Sequence, residues 1–128
     1  MPPKVNKPYQ PDGQECALLL LSLVGKKEKE IKREIARVRL AELTLKRLWS
    51  RQRLTDQFLH EVQEWLFRAG WVLFYAGTTF ALVKVVAVEG WPRLTSKLMA
   101  DELRQVARGE YDFSSLYSML IVDEKDDD

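Results

Sequence analysis

The chain has one cysteine, Cys16, and one histidine, His60. A single cysteine excludes an intramolecular disulfide and a cysteine zinc cluster. A single histidine excludes a histidine-rich metal centre and any mechanism that needs two imidazoles. The six glycines stand singly. No phosphate loop, dinucleotide fingerprint or nucleophile elbow is therefore present. Four of the five prolines fall before Gly13, so the start reads as an irregular arm and lacks the apolar core of a signal peptide. Long apolar runs are also missing. Cys16 to Val24 is too short to span a bilayer. Val72 to Val88 is interrupted by Gly77, Thr78, Thr79 and Lys84 and is rich in β-branched residues, so it reads as strand. These absences argue for a soluble chain in a reducing, cytoplasmic setting, without cofactor or metal, and against an enzyme. Glu61 and Glu64 share a helix face, but an exposed face does nothing to raise a carboxylate pKa.

The net charge is also small, +1 over 128 residues, but it hides an asymmetry. From Lys26 to Arg53 there are eleven basic and four acidic residues. From Asp101 to Asp128 there are three basic and nine acidic. The basic excess gathers between Arg33 and Arg53, and an acidic tail closes the chain. Faces of opposite sign suit different partners, with solvated surface as the plainer alternative.

Apolar spacing sets the elements. Gln14 to Val24 reads as a short buried helix with Gly25 as its stop, and Lys27 to Arg37 as a charged helix with Ile31, Ile35 and Val38 on one face. Val38 to Leu40 alternates and suits a short extended piece. Glu42 to Gln52 turns Leu45, Leu48 and Trp49 inward. Thr55 is a helix N-cap, and Phe58, Leu59, Val62, Trp65, Leu66 and Ala69 then fall within roughly a 120° arc at 100° per residue. Gly70 supplies the left-handed stop. Trp71 to Tyr75 and Phe80 to Val86 are strands, joined through Gly77-Thr78 as a two-residue type II′ turn. Pro92 opens a further helix with Leu98, Met99, Leu103 and Val106 inward and Gly109 closing it; Ser114 to Leu120 forms one more. The expected organisation is an arm over 1–13, one domain over 14–120 and an acidic tail over 121–128. The fold class is mainly α with a small antiparallel β-hairpin and extra helices at both ends.

From Lys27 the order is helix, short extended piece, helix, turn, helix, hairpin. The pair of helices Glu42 to Leu48 and Thr55 to Ala69, the step Gly70-Trp71-Val72-Leu73-Phe74 and the Gly77-Thr78-Thr79 tip together resemble the winged helix-turn-helix superfamily. The resemblance covers about half the chain. It implies that the second helix enters the major groove of double-stranded DNA and that the wing touches the backbone. Gln57 and His60 would then face base edges. Lys46, Arg47, Arg51 and Arg53 would meet phosphates, with Thr78 and Thr79 at the wing tip and Lys84 near them. The function so implied is that of a small transcriptional regulator, expected as a homodimer through the N-terminal apolar helix or the helix from Pro92. The outward face of the second helix also carries Asp56, Glu61, Glu64 and Phe67, which suits a protein partner. The alternative is an interaction module or assembly subunit using the apolar hairpin, Phe67 or the acidic tail.

Overall fold

The computed structural model describes residues 9–121. Where the sequence reading has one domain over 14–120, the chain gathers into two compact units that divide after Trp91. The acidic run Asp123 to Asp128 and the first eight residues of the arm lie outside the described residues. Within those described, no helix is long and apolar enough to cross a membrane, and no cluster of three His, Cys, Asp or Glu is placed to hold a metal.

The first unit begins with helix α1, Gly13–Ile31. It runs without a break through Gly25, which corrects the expected stop and merges the short apolar helix with the first half of the charged one. One interior glycine costs only about 1 kcal/mol. Two firm ends and the burial of Cys16, Ala17, Leu20 and Val24 outweigh that. At the start, Asp12 and Glu15 form a reciprocal capping box: the Asp12 carboxylate accepts from Glu15 N–H at 2.8 Å, and Glu15 accepts from Asp12 N–H at 3.0 Å. At the end Lys32 takes φ 58°, and Arg33 N–H reaches back to the Glu28 carbonyl at 3.2 Å. The charged stretch therefore leaves the helix before Ile35, whose N–H donates to the Glu28 carboxylate at 2.8 Å.

Strand β1, Arg37–Leu40, follows. Helix α2, Glu42–Leu48, is shorter than expected because Ser50 adopts φ 53°, and Arg51 N–H closes onto the Lys46 carbonyl at 3.0 Å. Helix α3, Asp56–Arg68, starts on the expected cap, with Thr55 Oγ1 accepting from Phe58 N–H at 3.2 Å, and stops at Gly70 with φ 88°. Strands β2, Trp71–Tyr75, and β3, Phe80–Lys84, form the expected hairpin. Gly77 takes φ 80° and the loop is the expected two residues, closed by Ala76 N–H onto the Thr79 carbonyl at 2.7 Å; within it Thr78 N–H makes a tighter three-residue bond onto the Ala76 carbonyl at 3.0 Å. The second strand ends earlier than Val86, because the chain coils at once into the short helix α4, Val85–Glu89.

The short extended piece is a true third strand. The sheet is antiparallel in the order β1-β3-β2, with Arg39 opposite Ala81 and Leu40 opposite Phe80. Its inward residues meet α1, α2 and α3 in a core of Cys16, Leu20, Leu45, Trp49, Val62, Leu66, Leu73, Phe80 and Leu82. The last residues of the expected arm belong to this packing. Pro11 is buried, and its carbonyl accepts from the Cys16 thiol at 3.7 Å.

In the second unit the chain is irregular from Pro92 to Thr95, so Pro92 does not open a helix. A 3₁₀ turn over Ser96–Met99 leads into helix α5, Ala100–Ala107. Gly109 ends it at φ 72°, with its N–H on the Val106 carbonyl at 3.0 Å and Glu110 N–H on Gln105 at 2.9 Å. This is the double closure that a left-handed glycine permits. Residues Ser114–Leu120 form 3₁₀ turns. Asp112 caps them by accepting from Ser114 N–H and Oγ, which holds its carboxyl below the usual carboxylate range. Taken by itself, this unit has no buried side chain among its described residues.

Cys16 is fully buried, and burial pushes its thiol pKa up, with Arg51 countering in part. A protonated, enclosed thiol is a poor nucleophile. In native buffer Cys16 should resist an alkylating reagent, and it should label in step with unfolding as urea is raised. Fast labelling of the native protein would show that the α1 packing is wrong.

Candidate nucleic-acid interface

The nine residues expected to touch DNA divide into two sets. The first set is engaged inside the molecule. Arg51 leaves the α2 C-terminus half-buried, and its Nη2 donates to the Pro11 carbonyl at 2.8 Å. Its guanidinium lies 3.6 Å from the Phe58 ring centroid, and its Nε is buried without a partner. It bridges the entry to α1, the α2–α3 turn and the first turn of α3. A phosphate would have to pull it out of that stack. Thr79 Oγ1 donates to the Leu40 carbonyl at 3.0 Å and pins the hairpin to β1. Lys84 is not near the wing tip. It pairs with Trp71 at the far end of the hairpin, with Nζ 5.4 Å from that indole. Lys46 makes a loose 3.7 Å pair with Glu42 one turn earlier.

The second set is exposed. Arg47 lies on the outer side of α2, Arg53 in the turn and Thr78 at the hairpin tip; neither arginine has an ion-pair partner among the described residues. Gln57 and His60 occupy the outer face of α3, as its inward stripe requires. His60 Nε2 lies 3.1 Å from Glu64 Oε1 on the next turn.

Acidic neighbours on α3 do not all act alike. Glu61 folds over the start of α1: a Cβ added at Gly13 would sit 2.7 Å from its carboxyl carbon. A carboxylate there faces the positive end of the α1 dipole, which gives it a structural role. Asp56 and Glu64 remain exposed on the outer face. Arg68 is drawn back over Trp65, with its guanidinium carbon 4.7 Å from the ring centroid. A shallow groove of about 540 Å³ separates α3 from β2, lined by His60, Glu64, Phe67, Arg68 and Val72. Gln63 Nε2 donates to the Leu73 carbonyl at 2.9 Å on the edge strand beside it.

Two cations were missed by sequence reasoning. Arg37 and Arg39 are exposed on β1, alternating with the half-buried Val38 and Leu40. The pairing of β1 with β3 brings Arg39 opposite Ala81, next to the pair that precedes the hairpin tip. The tip has no arginine of its own, and the neighbouring strand supplies one. Alternation within Arg37-Val38-Arg39-Leu40 was the available signal. The strand pairing that gives it meaning is long-range.

No family model, curated protein or solved structure matches the chain.

The two arginines of the turn should separate cleanly in a denaturation experiment. Arg51→Ala removes a charge-assisted hydrogen bond and a stacked cation, and should lower stability by about 1–3 kcal/mol in urea unfolding. Arg53→Ala should change it by less than about 0.5 kcal/mol. Equal effects would contradict this division of roles.

Proposed function

We propose that the first unit is a winged helix-turn-helix domain that binds double-stranded DNA and acts as a small regulator. The observation that carries this reading is topological. Strand β1 lies between the first two helices, α3 leads through Gly70 directly into the hairpin, and the strands take the order β1-β3-β2. This is the arrangement in which a second helix and an adjacent wing can meet one duplex together.

The binding set differs from the one read off the sequence. Phosphate attraction comes from Arg47 and Arg53 around the turn and from Arg39 beside the hairpin tip, with the Thr78 hydroxyl as a further donor. Gln57 and His60 are left to face base edges. Arg51, Thr79 and Lys84 hold the domain's shape.

A second reading is favoured by Phe67, which is 63% exposed beside the α3–β2 groove, and by Asp56 and Glu64 on the same helix. Phosphates disfavour that face, whereas a protein partner can cover an aromatic ring and meet acids with bases. On this reading the hairpin residues Phe74 and Tyr75, both exposed, extend the surface.

Salt separates the two. Fluorescence anisotropy with a mixed-sequence duplex should show binding near 50 mM salt that falls steeply toward about 200 mM. Arg47→Glu with Arg53→Glu should reduce the slope of log K against log salt by about 2, roughly one for each phosphate no longer neutralised. Absence of binding at low salt, or a slope unmoved by the double change, would overturn DNA binding and leave the protein-partner reading.

A further inference from the structure

Helix α1 keeps two faces apart. Cys16, Leu20 and Val24 turn into the core, and the opposite side carries Leu18, 60% exposed, and Leu19, 37% exposed, with Leu23 at its flank. Tyr9, Glu15, Leu18, Leu19 and Ser22 border a shallow depression of about 450 Å³ on that side. Further along the same face come Gly25, Lys26 and Lys29. Neither lysine has an ion-pair partner among the described residues. A Cβ at Gly25 would meet nothing within 4 Å, so the packing of the chain on itself does not require glycine there. An interior helical glycine costs about 1 kcal/mol relative to alanine.

We propose that this face docks a second copy of the chain, with the two α1 helices antiparallel about a two-fold axis through Ser22. In such a pair, a residue a given number of positions before Ser22 in one copy lies level with the residue the same number after it in the other, and residues on the same side of the seam meet. The sequence is complementary under that operation. Glu15 and Lys29 both lie seven positions from Ser22, on nearly the same line of the helix, since seven residues bring the surface round to within about 20°. Each Glu15, whose Oε1 accepts from Asp12 N–H at 3.0 Å and from the Tyr9 hydroxyl at 2.7 Å, has its other carboxylate oxygen left to face a Lys29, giving two opposite-charge pairs per dimer. Leu19 lies on the same side as the mate's Lys26, whose aliphatic stem covers the leucine while its ammonium stays wet. Leu18 lies on the same side of the seam as the mate's Gly25, and the missing side chain there is the space into which the leucine packs. Ser22 meets its own mate on the axis and is small enough to let the helices approach.

The occupant is a second copy because the acidic start and basic end of one helix suit each other only when reversed. A partner of uniform charge would be repelled at one end. The interface is isologous and closes after two copies. The apolar patch is small, so the dimer should be reversible. The proposal stands apart from DNA binding, and either can fail alone.

Cysteine cross-linking of the full chain tests the register. Ser22→Cys places two thiols on the axis and should give a covalent dimer under mild oxidation. Lys29→Cys places its symmetry mates about 21 Å apart, at 1.5 Å per residue, and should not. The wild type, with only the buried Cys16, is the blank. Sedimentation velocity on the order of 10–100 µM should show a reversible dimer that Leu19→Lys, which sets a like charge against the mate's Lys26, and Gly25→Leu each reduce to monomer. The Gly25→Leu monomer should melt no lower than wild type, because leucine is the better helix former, so loss of folding is not mistaken for loss of docking. A wild type that stays monomeric across that range overturns the proposal. So does cross-linking of Lys29→Cys as fast as Ser22→Cys, or a dimer indifferent to both substitutions.

Discussion

Trp49 sits where the three long helices of the first unit meet. It is the largest fully buried side chain. Its indole N–H donates to the Cys16 carbonyl on α1 at 2.9 Å, and its ring meets the edge of Phe58 on α3 at a centroid distance of 5.9 Å. One residue at the end of α2 thus fixes the positions of α1 and α3. Arg51 extends the same cluster, reaching Pro11 on one side and Phe58 on the other. The left-handed Ser50 between them turns the chain so that both side chains point to the same junction. Gln10 closes it from outside by donating to the Ser50 carbonyl at 3.1 Å. The turn between α2 and α3 is built from within, and this decides what its charges are free to do.

A cation that holds a fold together is a weak ligand for anything else. Arg51 would have to break a charge-assisted hydrogen bond and leave an aromatic face before it could meet a phosphate. Arg53, two positions on, carries no such load. The same division runs through the hairpin, where Thr78 is open and Thr79 is tied to β1. It also runs through α3, where Glu64 faces outward and Glu61 covers the start of α1. Adjacent residues of like chemistry are separated by geometry into framework and surface. The electrostatic face of the domain is therefore smaller than composition suggests, and it is shifted from α3 toward α2 and β1.

That division marks what the sequence could and could not convey. Thr55, Gly70 and Gly109 were legible as caps and stops, because capping depends on residues within one or two turns. The inward stripe of α3 was legible for the same reason. Gly25 misled because a stop signal is local, whereas the α1 helix is held by packing against α2 and α3. The third strand was visible only as three alternating residues, since β1 finds its partner in β3 some forty residues later. Arg51 could not be told from Arg53 by type or neighbourhood. Its partner Pro11 comes from a segment whose prolines suggested only irregularity. Lys84 was assigned to the wing tip by nearness in sequence, and the antiparallel register carried it to the other end.

The number of free cations bears on how such a domain could hold a duplex. Arg39, Arg47 and Arg53 correspond to a salt slope near 3 for one copy, at roughly 0.9 per phosphate. Asp56 and Glu64 lie close enough to reduce the gain further. A single copy would then bind weakly at physiological salt, because counterion release scales with the number of phosphates neutralised. Two copies joined through α1 would present the set twice. The second engagement becomes intramolecular, so affinity rises without any new group on the nucleic acid being recognised, provided the spacing of the two faces matches the duplex. The acidic outer face of α3 would then act as a filter: attraction is low on the helix that would discriminate, and a dimer would restore it only where both halves fit.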